Sequence, residues 1–103
     1  MIDEDFSLLK EIFSIIDFGI VDSYDSFRFE VEVGNGYIDT ALIVEKDGVA
    51  VADAKADING SILYGLVKRL RGNAEQRGEC WTSFVMSYEQ GGQVKTSFKY
   101  KND

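Results

Sequence analysis

The sequence predicts an α+β domain: a two-layer α-β-β-β-α-β-β order, with an antiparallel five-stranded sheet and helices packed on one face. Three observations carry this expectation. Two stretches repeat apolar residues at three- and four-residue steps, as amphipathic helices do. The stretches between and after them alternate apolar and polar residues, as half-buried strands do. The alternating stretches are joined mostly by short turns, which suit antiparallel neighbours and leave the helices to one face. The 103 residues are expected to form a single domain, 1–103. Their 45% apolar and 13% aromatic content is enough for a packed core.

The first element follows from Asp3-Glu4-Asp5 and the apolar set Phe6, Leu8, Leu9, Ile12, Phe13, Ile15 and Ile16. This predicts a helix over about Asp3 to Asp17, with acids at its positive end and Gly19 as terminator. Phe27, Phe29, Val31 and Val33 then alternate with Arg28, Glu30 and Glu32, which predicts a strand. Gly34-Asn35-Gly36 is a turn of residues that tolerate positive φ. In the next strand, Tyr37 to Glu45, the residues Ile38, Thr40, Leu42 and Val44 share one face. Tyr37, Asp39, Ala41, Ile43 and Glu45 take the other. Lys46-Asp47-Gly48 turns the chain into a third strand, Val49 to Ala54.

Asn59-Gly60-Ser61 opens a second helix, with Ile62, Leu63, Leu66, Val67 and Leu70 as its apolar stripe and Asn59 or Ser61 as cap. Gly72 and Gly78 are expected to bracket a polar connection. The closing stretch, CWTSFVMSYEQGGQVKTSFKY, supplies two strands joined through Gly91-Gly92. A loop over Glu89 to Gln93 sets Phe84 against Phe98, Met86 against Thr96, Tyr88 against Val94 and Thr82 against Tyr100, so one face becomes almost wholly apolar. A two-residue Gly91-Gly92 turn would split that face. Burial therefore predicts the longer loop.

Composition narrows the chemistry. One cysteine makes an intramolecular disulfide impossible and fits a reducing compartment. With no histidine, the usual transition-metal ligand sets are missing, and no loop has the acid spacing of a calcium site. No metal and no cofactor are expected. The N-terminus is acidic where a secretory signal starts basic, and its apolar residues are periodic, so no membrane association and a cytoplasmic location are expected. Charge is unevenly spread. Residues 1–60 hold 14 Asp/Glu against 4 Lys/Arg, a net of −10. Residues 61–103 hold 7 Lys/Arg against 4 Asp/Glu, a net of +3, and together these give the −7 of the chain. Direct nucleic-acid binding is not expected, because the acidic part repels phosphate. A basic protein would be steered toward it.

Each candidate for catalysis has a plainer explanation. Cys80 lacks the histidine that normally activates a thiol, and free cysteines are commonly buried packing residues. Acid pairs such as Glu30 with Glu32 could serve general acid–base chemistry, yet a domain this small has little scaffold for a deep cleft. Gly34-Asn35-Gly36 joins two strands, so it is a hairpin and not a phosphate cradle. Lys68, Arg69, Arg71 and Arg77 lack interleaved aromatics and are expected on the solvent side of the second helix. No catalytic residue is assigned and the protein is not expected to be an enzyme.

What remains is the acid-rich region around the first three strands. Asp22 and Asp25 lie on the loop leading in, and Glu30, Glu32, Asp39, Glu45, Asp53 and Asp57 lie on or beside the strands. They form either a solvated face or a docking surface for a basic protein. Tyr24 and Tyr37 would be aromatic anchors of the kind interfaces favour.

The closing motif adds a resemblance. A helix ending in charged residues, then Trp81 and Phe84, a Gly91-Gly92 turn, and Thr96, Phe98 and Tyr100 resembles the YezG-like immunity proteins of bacterial polymorphic toxin and contact-dependent growth inhibition systems. The order of elements over nearly the whole chain is similar too. The resemblance implies a small acidic antitoxin that binds and neutralises a cognate toxin domain, often a nuclease, as a monomer or weak dimer. It transfers no toxin-contact residues. Two alternatives stand beside it. A type III secretion chaperone-like dimer shares the element order, but would be expected to carry a further helix beyond Tyr100. A small carboxylate enzyme is the other.

Overall fold

The computed structural model describes residues 3–20, 24–51, 58 and 60–100. Its element order is α1 (Asp3–Gly19), β1 (Ser26–Gly34), β2 (Tyr37–Lys46), β3 (Val49–Val51), α2 (Gly60–Gln76), β4 (Trp81–Glu89) and β5 (Lys95–Tyr100). The fold is α+β, with one antiparallel five-stranded sheet ordered β3-β2-β1-β4-β5. The chain divides into two compact units, one holding both helices and the other the sheet.

In the helical unit, α1 buries Leu8, Leu9, Ile12 and Ile16, and α2 buries Leu63, Leu66, Val67, Leu70 and Ala74. Phe13 and Ile15 of the predicted stripe are only half-buried, and two more stripe residues are exposed. Phe6 is 57% exposed and Ile62 is 54% exposed, each in a helix's first turns. Lys10 Nζ lies 5.4 Å from the centre of the Phe6 ring, so a cation covers part of it. Helix α2 also runs through Gly72, where a connection was expected, because burying Ala74 one turn beyond Leu70 offsets the weak helix propensity of glycine. It ends at Gln76, and Gly78 beyond it has a φ of 78° that lets the chain turn back. The Gly78 N–H donates to the Glu75 carbonyl and the Glu79 N–H to the Ala74 carbonyl, the paired bonds of a Schellman cap.

Arg77 follows from that cap. Expected on the solvent side, it instead reaches Asp5 in the first turn of α1, with Nη2 at 2.5 Å from Oδ2, and its Nε donates to Glu79 Oε2 at 2.7 Å. Asp5 is 4% exposed, the charged group most in need of a partner. The hydrogen bond from Arg77 holds the Glu79 carboxyl below its ordinary value of 4.5. The bonds to Glu79 and Asp5 raise the guanidinium's own pKa. Arg71 likewise pairs with Glu75 at 3.0 Å, one turn along the helix, while Lys68 and Arg69 are exposed as expected.

In the sheet unit, β1 pairs on both sides, with Phe29 opposite Leu42 of β2 and Met86 of β4. The alternation expected of β1 holds, with Phe27, Phe29 and Val31 buried, but that of β2 is blurred: Val44 is buried, Leu42 and Ile43 are both half-buried and Thr40 is exposed. Two-residue turns close both hairpins. Asn35-Gly36 joins β1 to β2, and Asp47-Gly48 joins β2 to β3 with φ of 55° and 78°, the two positive values of a type I′ turn. Strand β3 is described only to Val51, and 52–54 of its expected range lie outside the described residues.

The closing hairpin keeps the predicted register where it matters most, with Phe84 opposite Phe98 and Met86 opposite Thr96. Its two ends differ. Pairing stops at Ser87–Lys95, short of the expected Tyr88–Val94 pair, and Tyr88 is opposite Phe27 on the other side. At the start, a bulge between Trp81 and Ser83 places Trp81, not Thr82, opposite Tyr100. Simple alternation would put Trp81 on the face away from Phe84. The extra residue re-aims it. Trp81 is 3% exposed, with its ring 5.3 Å from Phe84 and 5.6 Å from Phe98, centre to centre.

Candidate partner-binding face

The second face of the sheet is laid out by the same registers, because directly paired residues share a face. Reading across β2, β1, β4 and β5 gives four rows. Glu45, Ser26 and Glu89 form the first, and Ile43, Arg28, Ser87 and Lys95 the second. Ala41, Glu30, Val85 and Ser97 form the third, and Asp39, Glu32, Ser83 and Lys99 the fourth. Every one of these side chains is exposed or half-buried.

Four of the predicted site residues, Glu30, Glu32, Asp39 and Glu45, therefore meet on one open face. Glu32 and Asp39 are directly opposed, an arrangement of like charges that destabilises a sheet. Among the described residues neither has an ion-pair partner. Glu30 is bridged to Arg28 of its own strand at 2.8 Å, and Glu45 accepts a hydrogen bond from Ser26 Oγ at 3.4 Å. Two shallow concavities mark the face. One, of about 260 Å³, is bordered by Glu30, Glu32, Asp39, Ala41, Ser83 and Val85. The other, about 450 Å³, lies at the far end among Arg28, Ile43, Glu45, Ser87, Glu89 and Lys95.

The remaining predicted residues are placed differently. The Asp25 carboxylate accepts the Asp47 N–H and so caps the β2–β3 turn, while its backbone bonds Glu45 on one side and Gln90 on the other, both at 2.8 Å. It is a structural staple. Tyr24 is 7% exposed and packs on Phe27 at 5.9 Å, which leaves almost no ring for a partner. Tyr37 is 48% exposed, and its ring covers Gly34, its partner across the turn. Asp22, Asp53 and Asp57 lie outside the described residues.

Arg28, Glu89, Lys95 and Lys99 were not among the predicted site residues. Alternation in β5 carries the signal for the lysines, since Phe98 facing Phe84 forces Lys95 and Lys99 to the other side.

Among the described residues, no group of three or more acids or cysteines is placed to hold a metal ion. Cys80 is exposed, not the buried packing residue expected, and it lies just outside β4 in the helical unit. Among the described residues, no helix is long and apolar enough to cross a membrane. No protein-family model matches the chain, and no curated protein matches it.

Proposed function

We propose that this chain is an immunity protein: a non-catalytic inhibitor that binds a cognate toxin domain, nuclease-like and basic, through the acidic half of its open sheet face. The single observation that carries this is the gathering of Glu30, Glu32 and Asp39 on adjacent strands, with Glu32 and Asp39 opposed and neither ion-paired. Like charges directly opposite cost a sheet stability. A fold that keeps them on an exposed face gains from any cationic surface laid over them.

The chemistry of the target follows from the same residues. A nuclease groove is lined with Lys and Arg to hold phosphate, and a carboxylate face competes for those cations. The resemblance of the Trp81 to Tyr100 stretch to YezG-like proteins supports this class of partner, and the acidic face supports its being held through cations. The inhibitor would act in the cytoplasm, where an incoming nuclease meets its substrate.

Co-expression tests this. The gene neighbourhood is first searched for a basic nuclease-like toxin domain; expressed alone it should arrest growth, and the intact chain should restore it. Glu30→Lys combined with Glu32→Lys should cut rescue by at least tenfold in surviving colonies while the variant remains folded. Undiminished rescue by that variant would remove the acidic face from the function. Cys80→Ser should protect as well as the wild type.

A further inference from the structure

The open face carries a second sign. Lys95 and Lys99 of β5 stand on it, one in the same row as Arg28 and the other in the row of Glu32 and Asp39. Among the described residues neither lysine is ion-paired. Between them and the acids of β1 and β2 runs a stripe on β4 that is uncharged at Ser83, Val85 and Ser87 and ends at Glu89. Glu32, the nearest acid in the row of Lys99, is two strand steps away, roughly 10 Å at about 4.8 Å per step. That exceeds the screening length of about 8 Å at physiological salt, so the two signs do not cancel before a partner arrives.

We infer that this face docks a partner element carrying both signs, with a basic row over β1 and β2 and an acidic group over Lys95 and Lys99, so that it is read in one orientation. This rests on the proposal that the open face is the docking surface, and it adds what the partner must look like. The partner is then not a uniformly cationic surface but a groove whose basic floor has an acidic rim. The larger concavity holds both signs itself, with Lys95 and Arg28 on its border beside Glu45 and Glu89, and Lys95 marks the side on which a group from that rim would sit. Arg28 shares a row with Lys95 but is bridged to Glu30, so Lys95 is the unpaired cation that a partner carboxylate would meet at that end.

Lysines on an edge strand also discourage pairing with other sheets, and glutamates would do so equally. Reversal of the two lysines therefore separates the roles. Lys95→Glu with Lys99→Glu keeps the edge charged, and each reversal changes the charge by two, taking the chain from −7 to −11. Against a uniformly basic partner that change would tighten binding.

The experiment is calorimetric titration of the full chain with the adjacent-gene toxin domain, inactivated at its catalytic residue, at 50 and 200 mM salt. Wild type is compared with Glu30→Lys/Glu32→Lys and with Lys95→Glu/Lys99→Glu, each checked for a native near-ultraviolet spectrum from Trp81. Both variants should weaken binding by at least tenfold at the lower salt. An unchanged or tighter affinity for the lysine variant, beside a weakened acid variant, would overturn the two-signed partner and leave the acidic docking face standing. Unchanged affinity in both would overturn the two together.

Discussion

At the scale of single residues, the opposed pair Glu32–Asp39 separates a functional role from a structural one. A residue kept for stability loses stability when it is neutralised. Asp39→Asn should do the opposite, raising stability by about 0.2–1 kcal/mol because it removes like-charge repulsion across the strands. Chemical denaturation measures that gain, and the same variant should bind the toxin domain more weakly. Gly34 gives the converse case. A methyl group there would overlap the Tyr37 ring, so Gly34→Ala should cost about 1–3 kcal/mol, seen as a lower denaturation midpoint. Period-two alternation made the facing of Glu30, Glu32 and Asp39 legible in the sequence. It said nothing of Tyr24 and Asp25, which precede β1. The burial of Tyr24 depends on Phe27, and the turn-capping bond of Asp25 on a turn more than twenty residues away.

At the scale of elements, the bulge in β4 decides where the largest aromatic goes. Deleting Thr82 would remove the extra residue and leave Trp81 two positions before Phe84, on the same face by simple alternation, so the tryptophan emission should stay blue. Trp81→Ala should instead cost about 3–5 kcal/mol, read as a lower denaturation midpoint. Reading the strand with unbroken alternation hid the bulge, because a bulge leaves no mark in composition when the extra residue is an ordinary threonine. The helices were legible as amphipathic stripes but not in their ends. Gly72 looks like a stop in the sequence, and only the burial of Ala74 beyond it shows why the helix continues. The Arg77 link between the two helix ends was equally hidden, since Asp5 and Arg77 are 72 positions apart. Arg77→Ala should lower the melting temperature more than Lys68→Ala does. Its dependence on pH has a definite sign. Glu79 is held below 4.5 in the folded state, so its contribution is complete above that value and is lost as pH falls through the lowered one. The melting-temperature gap between wild type and Arg77→Ala should therefore be widest near neutrality and narrow below pH 4.5.

For the whole molecule, net charge is a poor guide to what a partner meets. The −7 of the chain is spread over both units, and acids lie on α1 as well as on the sheet. What singles out the open face is arrangement: acids on β1 and β2 with Arg28 among them, Ser83, Val85 and Ser87 uncharged on β4 before Glu89 at its end, and lysines on β5. The element order and the acidity of the first sixty residues were readable from the sequence. The segregation of charge was not, because it depends on β4 lying beside β1, a pairing of residues more than fifty positions apart. Carboxylate footprinting tests the docking face most directly. Glu30, Glu32 and Asp39 would be labelled with a carbodiimide and glycine ethyl ester, free and in complex with the toxin domain, and read by mass spectrometry. Binding through this face predicts that these three lose most of their labelling in the complex, while Glu4 and Glu11, exposed on α1, are labelled as before. Equal labelling of Glu30, Glu32 and Asp39 in the free and bound protein would contradict it.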